Sequence, residues 1–107
     1  MATIALSTNS NGSFRWETVT GSDVGEPISM PRGGIITTVH VIGTFGGALT
    51  MQGSVDGENW FTLTDMNGNE VSFTAAGSAE ISTAARNIRP SAAAGVSDVD
   101  VHIAVSA

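Results

Sequence analysis

Asp98, Asp100 and His102 stand at alternate positions of one stretch, Asp98-Val99-Asp100-Val101-His102. In a strand, side chains return to the same face every second residue, about 6.6 Å apart, so these three share a face. One divalent metal could bridge two of them, with His40 arriving from another strand. A half-buried sheet edge that turns its polar side to water or to a partner would have the same pattern. Asp65-Met66-Asn67-Gly68-Asn69-Glu70 also offers oxygens at alternate positions, as a calcium loop does at its start. An EF-hand loop needs glycine where Glu70 stands and a bidentate glutamate where Ala76 stands. Asn-Gly is a hairpin signal, so the expectation here is a turn. No Gly-x-Ser-x-Gly elbow accompanies the serines, and neither His40 nor His102 has a nucleophile at a diagnostic spacing. Asp56, Glu58 and Asp65 are loop acids of the kind that water normally solvates. The expectation is a non-enzymatic protein with no catalytic residues, no metal and no cofactor.

The elements that would position these residues are strands. The stretch around which the chain is organised runs from Gly47 to Asp65, with alternating runs on each side of Asp56-Gly57-Glu58-Asn59. Asp-Gly between such runs predicts a β-hairpin, because glycine takes the positive φ that a tight turn needs. Leu49 and Met51 fall on one face of its first strand, and Phe61 and Leu63 on one face of its second. Asp56, Gly57 and Asn59 are read as the structural turn. Trp60, directly after it, is read as the core indole in preference to Trp16, which lies nearer a terminus.

The remaining stretches alternate too. Ile4 and Leu6 form a short strand, and Phe14 and Trp16 alternate against Arg15 and Glu17. Thr20 to Pro27 reads as a loop, followed by a brief extended piece at Ile28 and Met30. Ile35 to Ile42 is branched and apolar on both faces, which predicts a central strand. Val71 and Phe73 follow the Asn67-Gly68 turn, and Glu80-Ile81-Ser82 is extended. Arg86 to Pro90 reads as an extended piece stopped by its proline. Ser91 to Gly95 is a small-residue loop, and Val99, Val101, Ile103 and Val105 face inward along the last strand. No window holds a 3.6-residue period. The fold expected is all-β, an antiparallel, jelly-roll-like β-sandwich of eight to ten short strands. It forms one domain over residues 1–107, with 1–12 a candidate N-terminal arm.

Composition narrows the function. A chain of 107 residues buries roughly 65% of the surface its unfolded form exposes. It has no cysteine, so no disulfide or thiolate site supports that core. Only 13% of residues are charged, about half the usual share, and all four cations are arginines. Such a surface fits a protein partly covered by others. A net charge of −6 argues against nucleic acid, whose affinity rests on clustered Lys and Arg. No apolar run approaches the ~18 residues of a membrane span, and the N-terminus lacks the regions of a signal peptide. The expectation is a protein made in, and kept in, the cytoplasm of its producing cell unless carried out within something larger.

Ser54-Val55-Asp56-Gly57-Glu58-Asn59-Trp60 resembles the Ser-x-Asp-Gly-x-x-Trp turn of discoidin-type, galactose-binding-like sandwiches. It differs from the sialidase Asp-box, which needs a residue between Asp and Gly. A longer span, from Gly43 to Val105, resembles small virion proteins of tailed bacteriophages. That likeness is carried by Gly53 to Trp60, Leu63-Thr64-Asp65, Phe73 to Gly77, Ala85 to Pro90 and the final strand. The resemblance implies a capsid decoration (cement) protein, on the exterior of a virion and made in the host cytoplasm. Its implied partner is the major capsid protein, and a dimer or trimer is the expected unit. Ile4, Leu6, Arg32, His40 and His102 are the candidate partner contacts. The alternatives are a carbohydrate-binding module of a fibre or tail protein, and a minor tail or head-completion protein.

Overall fold

The computed structural model describes residues 3–8, 13–29, 35–83 and 85–106. Twelve strands run through them: β1 (Thr3–Ile4), β2 (Leu6–Thr8), β3 (Phe14–Val19), β4 (Val24–Gly25), β5 (Ile28–Ser29), β6 (Ile35–Thr44), β7 (Leu49–Ser54), β8 (Phe61–Thr62), β9 (Ser72–Phe73), β10 (Gly77–Thr83), β11 (Asn87–Ala92) and β12 (Asp98–Ser106). Several are only two residues long, which is why they exceed the eight to ten that the sequence predicts. They form two sheets. The first follows the path β1-β4-β11-β7-β8, with β5 on β11 and β9 on β7; the second has the order β10-β6-β12-β3-β2. All pairings are antiparallel except β1 with β4. The chain is an all-β, jelly-roll-like sandwich.

Alternation decides what lies between the sheets. Val39 and Val41 of β6, Ile81 of β10 and Val99, Val101 and Ile103 of β12 turn inward from the second sheet. Leu49 and Met51 of β7 and Ile28, Ile88 and Ala92 meet them from the first. The predicted central strand is indeed internal: β6 lies between β10 and β12, with Thr38, His40 and Ile42 turned outward.

The two indoles exchange their expected places. Trp16 is fully buried. On β3 it stands between Val101 of β12 and Leu6 of β2, and its Nε1–H donates to the Glu26 carbonyl at 2.9 Å. The facing sheet makes room with Gly25, where an added Cβ would lie 2.6 Å from Trp16 Nε1 and 2.5 Å from Pro90 Cδ. Trp60 is only half-buried, because it precedes β8 and takes the opposite phase to inward-facing Leu63. Phe61 has the inward phase, opposite Gly53, but on its short end strand it stays 47% exposed.

Pro90 does not stop its strand, which continues to Ala92. The Ala92 N–H reaches away from β7, to the Asp23 carbonyl. Pro90 has the same phase, so its missing N–H would face the gap where β5 has ended and β4 has not begun. No ladder bond is lost, and the proline sits inside a sheet without cost to the pairing.

Residues 3–8, the described part of the candidate arm, are built into both sheets through β1 and β2. Glu26 ties this crossing. Its N–H donates to the Ile4 carbonyl at 2.8 Å, and its Oε1 accepts from the Leu6 N–H at 2.9 Å.

Candidate functional site

The loop between β7 and β8 is organised by one carboxylate. Asp56 Oδ1 accepts from the N–H groups of Glu58 and Asn59, each at 2.8 Å, and from Ser54 Oγ at 3.0 Å. Oδ2 accepts from the Asn59 side-chain amide at 2.7 Å. Ser54 Oγ in turn accepts from the Gly57 N–H at 2.8 Å, which satisfies a fully buried hydroxyl. Gly57 takes φ 81, a left-handed conformation that favours glycine. The backbone N–H of Asn59, then that of Glu58, hold the Asp56 carboxyl well below the usual carboxylate range. Asp56, Gly57 and Asn59 therefore occupy a turn held together by the Asp56 carboxylate.

That turn delivers Trp60 to the outer face of the first sheet. Its ring lies over the Arg89 guanidinium, 4.0 Å from centroid to Cζ. Arg89 Nε donates to Gln52 Oε1 at 2.9 Å across the β11/β7 pair. Burial pushes the Arg89 pKa down from the ordinary guanidinium range, though such a group stays charged. An indole, a guanidinium and an amide thus form one half-buried patch, with Thr62 beside Gln52. The sequence contained the signal for this patch. Trp60 and Thr62 share a phase opposite to Leu63, and Arg89 alternates with inward Ile88 and Pro90.

The second sheet brings together the two histidines. His40 of β6 and His102 of β12 are direct cross-strand partners on its outer face, flanked by Ser78 of β10 and Arg15 of β3. Asp98 is exposed on the same strand, and Asp100 is half-buried and already engaged. Val99 faces Val19 while Val101 faces Trp16, so Glu17 and Thr18 together oppose Asp100 in a bulge. Thr18 takes φ 57, and its N–H donates to Asp100 Oδ1 at 2.9 Å. Among the described residues no group of three or more His, Cys, Asp or Glu is placed to hold a metal ion.

Asp65 caps a turn. Its Oδ1 accepts from the N–H groups of Asn67 and Asn69, at 2.8 and 3.0 Å, and Thr64 pairs with Glu70 beyond it. The hairpin tip bonds to β10 through the Met66 N–H and the Glu80 carbonyl, at 3.1 Å. An open, polar groove of ≈ 410 Å³ runs past Thr38, Asp65, Met66 and Glu80. Of the candidate contacts, Ile4 and Leu6 are half-buried against the core, and Arg32 lies outside the described residues. Among the described residues the larger exposed apolar side chains are Ile42, Val55, Phe61 and Met66.

Fold and surfaces together define a small all-β sandwich of jelly-roll type. No protein-family model matches the chain, and no curated protein matches it. It is similar to the solved structure of the SPBc2 prophage-derived protein YomS, with a TM-score of 0.66 at 15% identity over 88% of this chain and 93% of that one. It also overlays a cupin domain from Bordetella pertussis, with a TM-score of 0.49 at 12% identity over 95% and 90% of the two chains. A third overlay is with CsCBM6-3 from Clostridium stercorarium, solved in complex with cellobiose, with a TM-score of 0.41 at 10% identity over 96% and 81%. At these identities the first likeness is one of fold, and the other two are too loose to add to it.

Proposed function

We propose that this chain is a non-enzymatic structural protein of a tailed-bacteriophage virion, a decoration protein on the outside of the capsid. The observation that carries the reading is the likeness of fold to a prophage-derived protein, over 88% of this chain and 93% of that one. Two physical features support it. Charged residues are only 13% of the chain, and Val55, Phe61 and Met66 stand exposed, as suits surface that an assembly covers. The partner in this reading is the major capsid protein, and the unit is a homodimer or homotrimer on a symmetry axis of the shell. Many copies of modest affinity then sum to a large resistance to internal pressure.

A second reading, a carbohydrate-binding module of a fibre or tail protein, is favoured by the Trp60–Arg89–Gln52 patch. Sugar sites pair an aromatic face with a few placed polar groups, which is what that patch offers. One experiment separates the two. Purified protein is mixed with shells lacking it and sedimented, and the same preparation is applied to a glycan array. Co-sedimentation at saturable stoichiometry with no glycan bound is expected. Protein that stays in the supernatant and binds a glycan overturns the decoration reading in favour of the second.

A further inference from the structure

The chain has two histidines and no cysteine, so its two imidazoles are the side chains best suited to a borderline divalent metal. The fold puts both in one place. His40 and His102 are direct partners across β6 and β12, two long neighbouring strands inside the second sheet. Directly opposed residues of an antiparallel pair have Cβ atoms about 5 Å apart, close enough for two imidazoles to converge on one ion. Both side chains are on the solvent side: His40 is exposed and His102 half-buried. From this register we propose that His40 and His102 form a two-imidazole site for a divalent transition metal of the zinc, nickel or copper type.

The chemistry selects the class of ion. Neutral imidazole suits Zn, Ni and Cu, whereas Mg and Ca take oxygen ligands. Paired interior strands hold the two ligands with little freedom, which favours a fixed geometry. The charges around the pair are mixed. Arg15 stands across from His102, with its Nε bonded to Glu17 Oε1. Asp100 lies one step along the same face of β12, opposite Ile42, and Glu80 lies diagonally from His40, opposite Thr38. Two imidazoles leave the coordination incomplete, so water or an acid from outside the chain fills the remaining positions.

The test uses full-length, tag-free protein titrated with ZnCl2, NiCl2 or MgCl2 by calorimetry, with His40→Ala and His102→Asn alongside. One zinc or nickel per chain is expected, with no comparable binding of magnesium. Each variant should bind about tenfold more weakly or worse, and should melt at the wild-type temperature without metal. Metal at about 100 times its Kd should raise the wild-type Tm by several degrees and that of the variants much less. Wild type binding no more tightly than the two variants would overturn the site, because the metal would then be held by scattered carboxylates. The metal-free melts show that both variants are folded, so loss of binding is not loss of structure. The outcome is also independent of whether the protein binds a shell or a glycan.

Discussion

Trp16 and Trp60 are the same side chain put to opposite uses. Trp16 sits in a strand with a strand on each side, faces a glycine across the sandwich, and finds a carbonyl for its N–H. Trp60 ends a loop whose shape is set by a carboxylate, lies on the outside of the other sheet, and stacks on a cation. The lesson concerns what makes an aromatic a core residue. A neighbouring turn motif fixes where the chain goes, but the phase of alternation fixes which side the ring takes. A ring as large as indole also needs space, and here Gly25 supplies it. Nearness to a terminus decides nothing, because the N-terminal strands are woven into both sheets.

The contrast breaks most sharply on truncation. Trp16→Ala removes the largest buried side chain and strands the Glu26 carbonyl, at a cost of about 3–5 kcal/mol. In a domain of this size that is a large fraction of the total stability. Trp60→Ala gives up half a ring's burial and one cation–π contact, about 1–2 kcal/mol together, and should leave a folded protein. Urea unfolding of both variants checks this. Equal losses would mean that the outer patch supports the fold as much as the core does.

Gly25→Ala tests the space directly, with the next largest effect. The new methyl would meet Trp16 Nε1 and the Pro90 ring, neither of which is a flexible chain end. Overpacking of this kind costs about 1–3 kcal/mol. The same measurement of urea midpoint reads it, and Gly25→Ala combined with Trp16→Phe should cost less than the two changes summed, since the smaller ring returns room. Strict additivity would show that Gly25 serves the backbone and not the indole.

The strand pattern was largely legible in the sequence, and its exceptions have local causes. Val99, Val101 and Ile103 turn inward as their alternation requires, and the Asn67-Gly68 turn and internal β6 lie where propensity puts them. Alternation also carried the truth about Trp60, since that residue has the phase opposite to Leu63; the turn motif next to it outweighed the phase. Pro90 reads as a stop because a proline lacks an N–H, and only the gap between β5 and β4 makes that harmless. The bulge at Thr18 was not legible, because it depends on Asp100, 82 positions along the chain. The His40–His102 pairing depends on register between distant strands, which no local pattern encodes. For the Trp60–Arg89–Gln52 patch the outward phases were legible, but the meeting of three separate strands or loops was not.

The smallest effect probes the carboxylate that delivers Trp60. Asp56 accepts from Asn59, Glu58 and Ser54 only when ionised to full effect, and those bonds hold its pKa below the ordinary value of about 4. In the unfolded chain the same carboxyl takes up a proton more readily, so its contribution to stability is fully present above about pH 4. That contribution is lost as the pH falls through the lower, folded pKa. Because Asp56 is solvent-exposed, screening keeps the effect modest. Asp56→Asn keeps one oxygen for the Glu58 and Asn59 N–H groups but presents an NH2 to the Asn59 side-chain amide, setting donor against donor. The variant should therefore be less stable than wild type at pH 7 and should lose less on acidification from pH 5 to pH 2. Urea midpoints for the two proteins across that range measure the difference. Parallel pH profiles would mean that the turn holds its shape without the charge, and that Trp60 is fixed by its stack on Arg89 alone.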